Sequence, residues 1–272
     1  MAAVDRSLVA RFPLFKEFHA EALDAILSEA HCDRYPKNTP VFQQGEQAAS
    51  FFVLLHGHVR ASKATPAGDQ IVVRYVSPGE IFGVTTAIGL DRYPATATAV
   101  DDSVVLSWPS AKWPSLVAQH PSLAVSTLQM VGSRLQETHT RVVEMSTEQV
   151  EQRIAHALLR LAKQAGRKVD HGIKIDFPIS RQDVAEMTGT TLHTVSRTLS
   201  AWEQQGLVES ARQSIVLRDP HHLFIIAERG QERGQERAQE RSQERGQGNG
   251  GAVQQGDANA SAPSLSTSPR RG

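Results

Sequence analysis

Glycines recur at positions 45, 57, 68, 79 and 89, about every eleven residues, through a stretch rich in β-branched and aromatic residues. Its runs include "SFFVLLHGHVRASK", "QIVVRYV" and "SVVLSWP". Short strands at even spacing, separated by turn glycines, leave a chain few options beyond a closed or double-sheet β architecture. Residues 35 to 110 therefore predict a β domain. Gly57 in "LHGHV" and Pro66-Ala67-Gly68 in "ATPAGDQ" predict hairpin turns.

Helical patterns flank this stretch. Leu23, Ile26 and Leu27 form an apolar stripe after Glu21, giving residues 1 to 30 a short helical lead. From 110 to 165 the period changes again. Leu128, Leu135 and Val142 repeat every seven residues, with Val131, Thr138 and Met145 as a second row. Two apolar rows at that spacing are a helix-pairing signal, and an amphipathic helix lying on its own domain is the alternative.

Downstream, "GIKIDFPIS" predicts a strand leading to Ser180 as a helix N-cap. "RQDVAEMTG" predicts a helix ended by Gly189, and "TLHTVSRTLSAWEQQG" a second ended by Gly206. "LVESARQSIVLRD" follows as a small hairpin. Helix, tight glycine turn, helix is the helix-turn-helix layout. Val184, Ala185, Met187, Val195 and Leu199 supply its internal contacts, and Leu192, His193, Ser196 and Arg197 its outer face. The first turns of such a second helix enter the major groove. Arg197 suits a bidentate guanine contact, Ser196 a base edge or phosphate, and Thr190 and Thr191 a phosphate. Residues 178 to 219 hold four Arg against five Asp and Glu, so charge leaves a helical hairpin without a DNA role open.

Over the whole chain Lys and Arg balance Asp and Glu at 29 each, and Cys32 is the single cysteine. A disulfide framework within the chain and a cluster held by four of its own thiolates are both excluded. The N-terminal stretch lacks a signal-peptide core, and no apolar run reaches the roughly 18 residues of a membrane span, so a cytoplasmic protein without membrane contact is expected. No nucleophile–base constellation, phosphate loop or HExxH motif points to an enzyme. From 228 a repeat in "ERGQERGQERAQERSQERGQ" balances Glu with Arg and offers no apolar face, so residues 229 to 272 are expected to be a disordered tail. Deleting residues 231 to 272 should leave DNA affinity in a gel-shift titration unchanged.

The thirty residues "ISRQDVAEMTGTTLHTVSRTLSAWEQQGLV" resemble the DNA-binding signature of the Crp/Fnr family of bacterial transcription regulators. "FFVLLHGHVRASK" and "VSPGEIFG" resemble its sensor in the right order, and the resemblance covers roughly residues 10 to 220. It implies an α+β chain: a β-roll (a cyclic-nucleotide-binding-like double-stranded jelly roll) over 1–115, a long dimerisation helix over 116–148 and a winged helix-turn-helix over 149–228. It also implies a homodimer on a palindromic operator in double-stranded DNA, acting with RNA polymerase. The base-reading positions it implies are His193, Ser196 and Arg197, and Thr190, Thr191, Leu192 and Arg181 complete the DNA-binding set.

The effector is less constrained. Cyclic-AMP sensors of the family carry Gly-Glu and Arg-Ser pairs around the phosphate. Here Gly83 is followed by Val84, the Arg-Ser position falls near Pro94 to Thr96, and Arg92 is displaced. "TRVVEMSTEQVEQRIAHALLRL" with "FPISRQDVAEMTGTTLHTVSR" resembles the NnrR-type, nitric-oxide-responsive branch, which activates denitrification genes. That resemblance implies a haem cofactor and an input of nitric oxide or low oxygen. His56 is the first choice for the haem iron, then His58 and His139, with His31 and Cys32 behind them. A cyclic-nucleotide-responsive regulator, an effector-independent one, a Cys32-gated one, and a haem or ligand-binding protein without DNA function are the alternatives.

Overall fold

In the computed structural model, which describes residues 6–229, eight strands follow a helical lead of α1 (Arg6–Val9), a 3-10 turn at Pro13–Phe15 and α2 (Ala20–Ser28). In chain order they are β1 (His31–Tyr35), β2 (Pro40–Phe42), β3 (Ser50–His56), β4 (Val59–Ala64), β5 (Gln70–Val76), β6 (Ile81–Phe82), β7 (Thr96–Ala99) and β8 (Ser103–Pro109). They form two four-stranded sheets, ordered β1-β8-β3-β6 and β2-β7-β4-β5. All pairings are antiparallel. The tail expected over 229–272 lies almost wholly outside the described residues.

Alternation along the strands packs the space between the sheets. Phe52, Leu54, Val59, Val76, Phe82, Ala97 and Val105 are buried together. Phe42, Phe52, Phe82 and Tyr93 stack within this core, Phe42 and Tyr93 at 3.8 Å between ring centres. The helical lead closes the other side of β3 and β8, burying Leu23 and Ile26 beside Phe51, Leu106 and Trp108. The Trp108 indole N–H donates to the Ile26 carbonyl at 2.8 Å.

The expectation for Pro66-Ala67-Gly68 holds, since β4 and β5 pair directly on either side of it. Gly57 does not make a hairpin. It joins β3 in one sheet to β4 in the other, so it turns the chain across the roll. Its φ is +82, and a Cβ there would press on Ser103 and Asp101 side chains and lie 2.8 Å from the Asp102 carbonyl. Gly57→Ala should therefore lower stability to urea by about 1–3 kcal/mol from backbone strain alone, and more with the clash.

The helix expected over 116–148 is interrupted. After α3 (Trp113–Gln119), His120 leaves helical geometry and Pro121 opens α4 (Pro121–Thr147), a 27-residue helix. Proline lacks the N–H that a continuing helix needs but suits a first turn. There follow α5 (Val150–Ala165), β9 (Gly166–Val169), β10 (Gly172–Ile175), α6 (Arg181–Thr188), α7 (Leu192–Gln204), β11 (Val208–Ala211), β12 (Ser214–Leu217) and a helix α8 over 220–229. The hairpin expected from "LVESARQSIVLRD" is present as β11 and β12, but it belongs to a four-stranded sheet ordered β11-β12-β10-β9. The strand in "GIKIDFPIS" spans only Gly172–Ile175 and pairs back on β9.

A third core unites α5, α6, α7 and this sheet around Ile154, Leu158, Val184, Leu199, Trp202 and Leu217. It continues into Val72 and Tyr75 of β5. The Tyr75 and Phe177 rings are 4.4 Å apart, Arg60 on β4 pairs with Asp183 on α6, and the Gln164 amide donates to the Tyr75 carbonyl at 3.0 Å. The winged unit is thereby seated on the outer face of β4 and β5.

Candidate nucleic-acid interface

Helix α6 begins at a reciprocal cap. The Asp183 N–H donates to Ser180 Oγ at 3.1 Å, and the Ser180 N–H donates to Asp183 Oδ2 at 2.8 Å. Such a box satisfies two otherwise orphaned donors and sets where the helix starts. The helix stops at Gly189, whose φ of +61 lets the Thr190 N–H return to the Ala185 carbonyl. Thr191 then caps α7, accepting from the Thr194 N–H at 3.1 Å. Val184, Ala185, Met187, Val195 and Leu199 are all buried between the helices.

That packing decides what α7 shows to the outside. Thr191, Leu192, His193 and Arg197 are exposed, and Thr190, Thr194 and Ser196 are half-buried. Among the described residues the His193 and Arg197 side chains have no bonded partner. Apart from that of Thr194, which Thr191 caps, the opening N–H groups of α7 have no acceptor within the helix, as at any helix start, which favours a phosphate there. The residues singled out in the sequence thus share one open face, with Arg181 as the exception. Its guanidinium donates to Ser210 Oγ at 2.7 Å and pairs with Glu203 at 3.3 Å. Arg181 ties α6 to α7 and to the wing, so its cation is spent inside the domain. Glu203 also accepts from the Ser210 N–H at 3.0 Å. Neither Glu203 nor Ser210 stood out in the sequence, where nothing but opposite charge links positions 181 and 203.

Along α4, Leu128, Leu135 and Val142 are 72%, 71% and 56% exposed. An apolar row this open on one chain marks an interaction face.

Residues 32–120 match the cyclic nucleotide-binding domain and residues 152–224 the Crp-like helix-turn-helix domain. The chain is a Crp/Fnr-type DNA-binding transcription regulator. It is 28% identical over 207 residues to the cyclic AMP receptor protein of Thermus thermophilus, spanning 76% of this chain and 93% of that one. It is 27% identical over 187 residues to the nitrogen fixation regulation protein FixK of Azorhizobium caulinodans, spanning 68% and 74%. The fold matches the structure of FixK2 from Bradyrhizobium japonicum with a TM-score of 0.64 at 24% identity, over 72% and 96% of the two chains. None of these relatives is named as an enzyme. Among the described residues, no helix of this Crp/Fnr chain is long and apolar enough to cross a membrane.

The residues present do not fit a haem. His56 is exposed at the end of β3. The His58 ring is bonded to Asp101 at 2.9 Å and lies 4.8 Å from the Phe177 ring, so it bridges the roll and the winged unit. Burial alone would raise the Asp101 carboxyl, but the side-chain and backbone bonds from His58 outweigh it and hold it below the usual carboxylate range. His139 is exposed on α4, and His31 and Cys32 are exposed on β1, which among the described residues pairs only with β8. A haem needs an apolar slot beside an axial ligand. The roll interior is filled by the stack of Phe42, Phe52, Phe82 and Tyr93 instead.

Proposed function

We propose that two copies pair along α4 and set two α7 helices into successive major grooves of an inverted-repeat operator. There they control transcription together with RNA polymerase, gated by a small effector. The carrying observation is the open face of α7, where His193 and Arg197 stand free while the inner face is locked by buried contacts. Two-fold pairing fits half-sites about one helical turn apart. The test is selection of DNA from a random pool followed by gel shift. An inverted repeat with half-sites spaced by about ten base pairs is expected. Enrichment of single half-sites, or of nothing, would overturn the reading.

Nitric oxide or low oxygen, acting on denitrification genes, is the second reading of the input. It is supported by the resemblance carried by "TRVVEMSTEQVEQRIAHALLRL" and the helix-turn-helix, and the misfit of haem counts against its usual route. A reporter behind the selected operator, with and without nitric oxide, tests it. Cyclic AMP is supported by the match over 32–120 and by the names of relatives, while Val84 and the Pro94–Thr96 stretch place no cation where its phosphate would need one.

A further inference from the structure

The last carbonyls of a helix have no N–H ahead of them to bond, and they carry the negative end of its dipole. At the end of α6 two arginines meet them. Arg153 on α5 donates to the Thr188 carbonyl at 3.1 Å and to the Glu148 carbonyl at 3.0 Å. Arg141 on α4 donates to the Met187 carbonyl at 2.9 Å. Gly189 then turns the chain at once toward α7, which begins at Leu192.

Arg141 also reaches the roll. Its guanidinium donates to the Val72 carbonyl at 3.3 Å and to the Val73 carbonyl, both on β5, the outermost strand of its sheet. One planar fork thus serves three carbonyls from two separate elements, a task for which an ammonium on a flexible stem is poorly shaped. The side chain is half-buried. Burial, and then the neighbouring Arg160 charge, pull its pKa below the usual arginine range. Taking a cation out of water is costly, and charge-assisted bonds in fixed geometry offset the loss. One turn further along the same face of α4, Met145 approaches the turn itself, since a Cβ at Gly189 would lie 2.6 Å from Met145 Cε.

The place of Arg141 along α4 matters as much as its bonds. It precedes Val142 of the exposed apolar row by one residue, about 100° around the helix. A single turn of α4 therefore offers Val142 to a second copy and grips α6 with Arg141. Between α4 and α5, Glu148 and Gln149 are extended, a joint that the main chain alone leaves free to turn. Arg160, bonded to Glu144, holds α5 across that joint, and Arg141 holds α6. We propose that Arg141 is a positioning residue for DNA reading: by tying the end of α6 to α4 and to β5, it fixes where α7 stands relative to the pairing axis, and so which half-site spacing the dimer accepts. The proposal rests on the reading of the chain as a dimer on an inverted repeat. Motion at Met187 is passed on to α7, because Val184, Ala185, Val195 and Leu199 are buried between the two helices.

The test uses the full-length protein and the operator selected for it, compared by gel shift with operators lengthened or shortened by about two base pairs between the half-sites. The wild-type chain should lose about 100-fold or more in affinity on either change, because a rigid pair reaches its second half-site at one separation. In Arg141→Gln that penalty should shrink to about ten-fold or less, with the dimer kept by light scattering and the far-UV spectrum unchanged. Arg141→Lys retains the cation without the fork and should behave like Arg141→Gln; it carries the test if the glutamine variant does not fold. A loss of folding stability alone would lower Tm and weaken every operator alike, leaving the ratio between spacings where it was. An unchanged ratio in the variants overturns the proposal. So does a ratio that Arg141→Lys restores in full, since charge attraction to phosphate would then suffice. Failure of the wild-type chain to bind any inverted repeat strikes the dimeric reading itself, whereas binding with a ratio indifferent to Arg141 strikes only the role of this residue.

Discussion

Leu135→Glu is expected to yield a folded monomer that no longer holds an inverted-repeat operator. Leu135 is 71% exposed on the single chain, so the substitution disturbs no contact within it. Exposed changes of this kind usually alter stability by less than about 0.5 kcal/mol. Pairing is another matter. Leu128, Leu135 and Val142 sit at seven-residue spacing, and two copies related by a two-fold axis bring Leu135 close to its counterpart. Two carboxylates there replace apolar burial with like charge. A monomer engages one half-site only and forfeits the gain from linked binding, about 10²–10⁴ in affinity. Light scattering should report one chain and circular dichroism an unchanged spectrum. A stable dimer of the mutant would place the pairing face elsewhere.

Arg197→Ala is expected to flatten discrimination at one base pair of each half-site while sparing the dimer. Arg197 is exposed, has no partner among the described residues and lies on the outer face of α7, so nothing inside the domain depends on it. A bidentate contact with guanine discriminates by about 1–3 kcal/mol, and a dimer makes it twice. The loss across a symmetric operator is therefore about 30-fold at least. Arg197→Lys should not restore it, because an ammonium lacks the planar fork. The measurement is a series of operators substituted symmetrically at one position at a time. If the mutant keeps the same preference at every position, Arg197 contacts the backbone or nothing.

The helix-turn-helix was legible because its signals are local. Ser180, Gly189 and Thr191 act within four residues of themselves, and the buried set follows from helical period. The two-sheet roll was legible from glycine spacing, but the role of Gly57 was not. A hairpin and a crossover between sheets need the same φ, and the difference lies in which strand comes next to which. The break at His120 had its signal in Pro121, masked by the apolar residues on both sides. Arg181 illustrates the limit at the site. Its position at the start of α6 suits a phosphate, and only the wing, folded back through Glu203 and Ser210, takes it away. The setting of the histidines was hidden for a related reason. His58 reads as a strand residue near a turn, yet its neighbour Phe177 comes from another domain.

Asp183 divides its two oxygens between two tasks. Oδ2 accepts from Ser180 and starts α6, while Oδ1 faces Arg60 of the roll. Detaching the winged unit breaks only the second contact, and the cap stays closed. The helix therefore need not fray when the domains part, and separation is a rigid-body event rather than a local melting. Amide exchange would register it as lost protection at the seam between the units while the first turn of α6 stays slow, so the DNA-reading surface travels ready-made.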